Sequence, residues 1–160
     1  NNSQVTVVLP TPVSVPVIKT ICLLFLELIN NSVSKLGNDW DIEIMEMHHK
    51  HKIDAPSGTA IGLGEAAATG RKKSLSKIAS WNRNGITGER KRGEIGFASL
   101  RGGKVVGEHK VIFVGESERI ELGHVAYSRE LFAKGAIRAA LWSENKDAGL
   151  YDMMDVLGIR

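Results

Sequence analysis

The 160 residues carry 21 Lys and Arg against 18 Asp and Glu, a formal net charge of +3, too mild to mark a nucleic-acid binder. The length favours one domain, or one and a fraction, with enough chain to bury roughly 70% of its unfolded surface. Cys22 is the single cysteine, which excludes an internal disulfide and points to a reducing, cytoplasmic compartment.

In chain order, residues 5–9 read as a short buried strand, and Pro10, Pro12 and Pro16 then forbid regular structure. An apolar stretch follows from residue 17 to 29. Lys19 and Glu27 interrupt it, and it falls short of the ~20 residues a membrane span requires. It also lacks the basic start and small-residue cleavage site of a signal peptide. An amphipathic helix is expected instead, with Ile18, Ile21, Cys22, Phe25, Leu28 and Ile29 on one face. Asn30-Asn31 and Gly37-Asn38 bracket its end.

Residues 41–47 alternate as a strand. Pro56 suits the start of a second helix, which runs through an alanine-rich segment and ends at the cations of Gly70-Arg71-Lys72-Lys73. A Gly-rich basic loop spans residues 81–93. Three strands are expected at 94–100, 104–114 and 118–126, with Gly102-Gly103 and Gly115-Glu116-Ser117 as hairpin turns. A helix over 129–142 and a short tail complete the chain. The fold class is α+β: a mixed, mostly antiparallel sheet covered by helices.

The chemistry concentrates in Glu46-Met47-His48-His49-Lys50-His51-Lys52-Ile53-Asp54-Ala55-Pro56-Ser57-Gly58-Thr59, which holds three of the five histidines. The segment joins a strand exit to a helix N-terminus, where unpaired N–H groups and the helix dipole favour an anion. Gly58 admits close approach to the backbone. Ser57, Gly58 and Thr59 are therefore expected to grip one carboxylate. Lys52 and His49 are placed to neutralise a second one or polarise a nearby nitrogen. Histidine is the usual general acid near neutral pH. Adjacent strand positions face opposite ways, so His48 and His49 are expected to do different jobs.

Three competing patterns are weaker. His48 and His51, with Glu46, Asp54, His109 or His124, could suggest a metal, but the HExxH spacing is absent and two lysines would repel a cation. Gly62-Leu63-Gly64-Glu65-Ala66-Ala67 matches a dinucleotide pattern in the wrong place, inside a helix and not at a strand-to-helix turn. Close helix packing explains it. The basic runs 71–73 and 89–92 lack the interleaved aromatics of a nucleic-acid surface, and the second is expected to lend charge near the pocket.

The run Glu46-x-His48-His49-x-x-Lys52-x-Asp54-Ala55-Pro56-Ser57-Gly58-Thr59-Ala60 resembles the signature of the dihydrodipicolinate (4-hydroxy-tetrahydrodipicolinate) reductase family. The likeness continues through Thr87-Gly88-Glu89-Arg90, Gly93-x-Ile95-Gly96-Phe97, Gly107-Glu108-His109, Ser128-Arg129, Phe132-Ala133-x-Gly135-Ala136, Ala140-x-Trp142 and Asp155-Val156-Leu157. It implies a substrate-binding and tetramerisation domain whose sheets associate across subunits. By that resemblance His48 is the proton donor and Lys52 a second donor or electrostatic partner, while His49, Gly58 and Thr59 bind a small dicarboxylate. The implied reaction, in lysine (diaminopimelate) biosynthesis, moves a hydride from NADPH or NADH to a ring carbon, and the enzyme supplies the proton.

The family also implies an N-terminal dinucleotide-binding domain with a Gly-rich turn, which this sequence does not contain. The expected organisation is therefore a remnant strand and helix at 1–40, a substrate-binding and oligomerisation domain at 41–150, and a tail at 151–160 returning toward a Rossmann-type domain. Little or no reductase activity is expected of this chain alone. The expected partners are the dicarboxylate and copies of the chain in a homotetramer, with no nucleic acid, membrane or metal. A non-catalytic oligomerising domain of the same fold, or a metal-dependent hydrolase using His48, His51 and a carboxylate, stand as alternatives.

Overall fold

The computed structural model describes residues 20–149, 151 and 153–158. The strand expected at 5–9 and the proline stretch lie outside these residues, as do the side chains of Ile18, Ile21 and Cys22. Helix α1 (Thr20–Leu36) is followed by strand β1 (Asp41–His48), helix α2 (Gly58–Gly70), the short helix α3 (Leu75–Ile78) and the two-residue strand β2 (Ala79–Ser80). Strands β3 (Ile95–Arg101), β4 (Gly107–Val114) and β5 (Arg119–Ala126) come next, then helices α4 (Glu130–Ser143) and α5 (Met153–Leu157).

The five strands form one open mixed sheet in the order β2-β3-β1-β4-β5. Its antiparallel ladders, β1–β4 and β4–β5, hold seven and eight residue pairs. The parallel ladders, β1–β3 and β2–β3, hold seven and two. This is the α+β class expected, with one change of topology. Residues 94–114 do not form a hairpin, because β1 lies between β3 and β4. The Gly102-Gly103 segment instead passes the end of β1, where Gly102 N–H donates to His48 O and Gly103 O accepts from Lys50 N–H. The second turn is a hairpin, closed by Gly115 N–H to Glu118 O.

Period-two burial explains why β1 is central. Ile42, Ile44 and Glu46 are buried on one face, beside Ile95 and Phe97 of β3 and Val111 and Phe113 of β4. Helices α1 and α2 cover this face with Phe25, Ile29, Val33, Ala60, Leu63, Ala67 and Ala68. Helix α1 runs straight through Asn30-Asn31 and stops at Gly37, whose φ of 76° suits the left-handed position after a helix. Its apolar stripe differs from expectation at Leu28, which is exposed, while Val33 extends the buried row.

Glycines set how closely α2 packs on α1 and on β3. A Cβ on Gly70 would lie 2.7 Å from the Asn30 carbonyl oxygen, and one on Gly64 2.5 Å from Phe97 Cζ. The pattern at residues 62–67 is thus a packing surface in mid-helix.

Arg71, expected as one of the cations ending α2, is buried and crosses to the sheet, donating to Trp40 O and Glu94 O. Arg90 in the basic loop donates to Asp41, Glu43, Ile42 O and Glu94 O. That holds the loop at the Asp41 end of β1. The expectation that its charge lies near the His48 end is therefore corrected: the acidic residues that attract it sit at the opposite end of the strand.

Candidate functional site

Strand β1 ends at His48 and the chain then turns through residues 49–56 into α2. The Ala55–Pro56 peptide bond is cis. Helix α2 begins at Gly58, with Ser57 as the N-cap in extended conformation, its hydroxyl accepting from Ala60 N–H at 3.2 Å. Pro56 thus precedes the cap and does not open the helix.

Glu46 organises this corner. It is 1% exposed, yet its carboxylate has a donor at every side. Arg101 approaches both oxygens at 2.8 Å, Ser57 N–H donates to Oε1 at 3.1 Å, and His48 Nδ1 lies 2.6 Å from Oε2. Burial alone would raise the Glu46 carboxyl, but hydrogen bonds from Arg101, His48 and Ser99 hold it below the ordinary range. The His48 pKa is lowered as well, which for an imidazole disfavours the charged form. Desolvation lowers its pKa, the Glu46 partner opposes this, and the charges of Lys52 and Arg101 add to the lowering. The ring packs edge-on against His109 at 5.0 Å between centroids. A Cβ on Gly107 would sit 3.1 Å from His48 Nε2, so glycine there leaves the second ring nitrogen its space.

The other sequence-selected residues are arranged as follows. His49 Nε2 is 3.4 Å from an Arg129 guanidinium nitrogen. Its Nδ1 is buried with no hydrogen-bond partner among the described residues. Lys52 Nζ donates to both oxygens of Asp54 at 2.7 and 2.8 Å, and this bond lowers the Asp54 carboxyl. Gly58 is exposed, with open space where a Cβ would be, and Thr59 is half-buried beside it. Ser57 is 2% exposed, its oxygen held between Ala60 N–H and His109 Nε2 at 3.0 Å. Its hydroxyl therefore faces the interior, while Gly58 beside it is exposed.

Arg101 does not stand out in the sequence, and Glu46 and Arg129 appear there within motifs, without the contacts they make at this corner. Strand parity carries the signal for Glu46, two positions before His48 on the inward face. Arg101 is the register partner of His48 across β1–β3, a pairing hidden by the expected hairpin. Among the described residues, no three His, Cys, Asp or Glu side chains converge on a metal-sized site.

The family model described as "Dihydrodipicolinate reductase, C-terminus" matches residues 22–157. The chain belongs to this family. Among curated members named 4-hydroxy-tetrahydrodipicolinate reductase, it is 57% identical to that of Dinoroseobacter shibae over 136 residues, covering 85% of this chain and 51% of the relative. The protein of Zymomonas mobilis is 59% identical over 132 residues, covering 82% and 52%. That of Agrobacterium fabrum is 62% identical over 123 residues, covering 77% and 45%. The chain spans about half the length of these reductases. Its fold matches the dipicolinate-bound dihydrodipicolinate reductase from Paenisporosarcina sp. TG-14 with a TM-score of 0.61 at 23% identity, over 85% of this chain and 51% of that one. The described residues of this family member include no helix long and apolar enough to cross a membrane.

Proposed function

We propose that this chain is the substrate half of a cytoplasmic 4-hydroxy-tetrahydrodipicolinate reductase of lysine biosynthesis, binding a planar dicarboxylate and delivering a proton to it. One observation carries the reading: a single buried carboxylate, Glu46, holds both His48 and the first turn of α2. The proton donor and the anion-binding helix start thereby share one anchor. In this arrangement Gly58 and Thr59 take one carboxylate on free N–H groups of α2. His49, with its unpartnered buried nitrogen, and Arg129 take the second. Lys52, released from Asp54 or shared with it, supplies positive charge beside the ring. His48 gives its proton from Nε2, since Nδ1 is committed to Glu46.

Residues 1–40, 41–150 and 151–160 are read as junction, substrate domain and returning tail. A nicotinamide cofactor, NADPH or NADH, would supply the hydride. The described residues do not fit it: the sole candidate glycine pattern, at 62–67, lies inside α2 with Gly64 packed under Phe97 and Leu75. Any dinucleotide is therefore held by residues other than those described.

The same reading makes the chain part of a homotetramer. The sheet face opposite α1 and α2 carries Met45, Met47, Ala98, Leu100, Ile112 and Val125 in register, and no helix layer among the described residues packs on it.

Calorimetry with pyridine-2,6-dicarboxylate tests the site. The unmodified chain should bind, and His49→Ala and Lys52→Ala should each lose on the order of tenfold or more in affinity, as removal of one charge-assisted contact predicts. Equal heats for all three chains would sink the assignment.

A further inference from the structure

We propose that Glu46 is the positioning residue for His48: it locks the imidazole in the Nδ1–H tautomer, leaving Nε2, in the space kept by Gly107, as the only nitrogen that exchanges a proton. The catalytic meaning of this lock rests on the reading of His48 as the proton donor, but the lock itself is a property of the ligand-free chain.

Proton counting at the carboxylate supports it. Arg101 brings two donors, Ser57 N–H a third, the Ser99 hydroxyl a fourth and His48 Nδ1 a fifth contact. An ionised carboxylate offers about four lone-pair sites and no hydrogen of its own. With Glu46 held ionised by these donors, the 2.6 Å contact to His48 has a hydrogen bond only if Nδ1 carries the hydrogen. The anchor is also stiff. Arg101 is tied in turn to the Asp54 carbonyl at 2.7 Å, so one guanidinium fixes the carboxylate and the loop leading to α2. Orientation of a general acid by a buried carboxylate on its remote nitrogen is a recurring device for keeping the reactive nitrogen aimed and in the correct protonation state.

The groups facing His48 act in opposing senses. Glu46 favours the imidazolium, Lys52 and Arg101 disfavour it, burial disfavours it, and the His109 ring adjoins it edge-on. Removing the Glu46 charge should therefore move the His48 titration to still lower pH. Glu46→Gln would also set an amide N–H against the Arg101 donors, so its Nδ1 partner would no longer be defined.

The experiment is a long-range 1H–15N spectrum of the histidine rings in the ligand-free chain across a pH titration, for the unmodified protein and Glu46→Gln. Above its titration, unmodified His48 should have a protonated Nδ1 and a bare Nε2, the tautomer that an unconstrained histidine populates less. In folded Glu46→Gln the titration should shift to lower pH and the two tautomers should mix. An Nε2–H signature in the unmodified chain would overturn the proposal. So would the same tautomer and titration in folded Glu46→Gln. If that variant does not fold, the unmodified chain decides the matter by itself. Because no ligand is present, failure here is distinct from failure of pyridine-2,6-dicarboxylate to bind, which would remove the substrate assignment and leave the tautomer lock standing.

Discussion

His48 sits where two opposing electrostatic demands meet, and its lowered pKa has consequences for binding and for stability. A dicarboxylate placed beside Lys52 and the α2 N-terminus would offset the cationic charge that now disfavours the imidazolium. Binding near neutral pH should therefore take up a proton, seen as a heat that depends on the ionisation enthalpy of the buffer. His48→Gln should remove the buffer dependence while much of the binding remains; uptake that persists in this variant would place the titrating group elsewhere.

For stability the sign follows from linkage. The folded-state pKa of His48 lies below its ordinary 6.5, so between those values the unfolded chain binds more protons and stability falls as pH drops through 6.5. Glu43 and Glu46, both held below their ordinary 4.5, add a second loss as pH falls from about that value through their folded pKa values. Urea midpoints measured from pH 8 to pH 4 should thus decline in two stages. A flat profile between pH 7 and 5.5 would contradict the assignment for His48. At this scale the sequence displayed the reactive groups but not their support. His48, His49, Lys52, Gly58 and Thr59 are neighbours along the chain, whereas Arg101 reaches Glu46 across 55 positions and Arg129 reaches His49 across 80.

Among the elements, α2 is the one whose sequence is constrained by fit on two sides. Gly62 and Gly64 are both mid-helix, where glycine costs roughly 0.5–1 kcal/mol relative to alanine. A Cβ on Gly62 would meet Leu26 at an ordinary 3.7 Å, but on Gly64 it would meet Phe97 at 2.5 Å and Leu75 at 3.2 Å. Gly62→Ala should therefore stabilise the chain by about 0.5 kcal/mol, and Gly64→Ala should destabilise it by roughly 1–3 kcal/mol through overpacking. Chemical denaturation of the two variants checks this, and a stabilised Gly64→Ala would show that the α2–β3 contact is looser than it stands. Local periodicity was enough to place α1, β1, α2, β4, β5 and α4 within a few residues, because each carries its own alternation or helical stripe. It failed for the partnership of β3. The Gly102-Gly103 dipeptide has the local chemistry of a hairpin, yet β1, with Ile42 and Ile44 fully buried, takes the place beside β4. Strand order is decided by burial of whole faces, which a two-residue turn does not encode. The two-residue β2 and the short α3 and α5 have too little sequence to carry a period at all.

At the scale of the molecule, the sheet divides the chain into a covered face and a bare one, and the site lies at the end of the covered face. The helices bury the centre of one side, around Ile42, Ile44, Ile95, Phe97, Val111 and Phe113. The other presents Leu100 and Val125 at 46% and 45% exposure, with half-buried Met45, Met47 and Ile112 between them and the Lys110–Glu121 pair among them at 2.7 Å. Apolar side chains interrupted by Glu108 and by the Lys110–Glu121 pair make a mixed strand-ladder face of the kind found at subunit interfaces. In the proposed homotetramer the occupant would be a second copy of the same face, whose isologous contact would pair Leu100 and Val125 with their own surroundings. Glu43 lies at one margin of this face, held by Arg83 and Arg90 across the missing side chain of Gly96. An interface there would therefore have a polar border already internally paired. Leu100→Glu and Val125→Glu place a carboxylate in its apolar part, and an unpaired buried charge costs on the order of 3 kcal/mol or more, about a hundredfold in association. Sedimentation equilibrium should find the unmodified chain as an oligomer and each variant shifted to smaller species, with the far-UV spectrum unchanged because both positions are solvent-facing within one subunit. An unmodified chain that stays monomeric would overturn the proposed self-association, and variants of undiminished mass would move the interface off this face, with the exposed Ile137 and Leu141 of α4 as the next apolar surface to test.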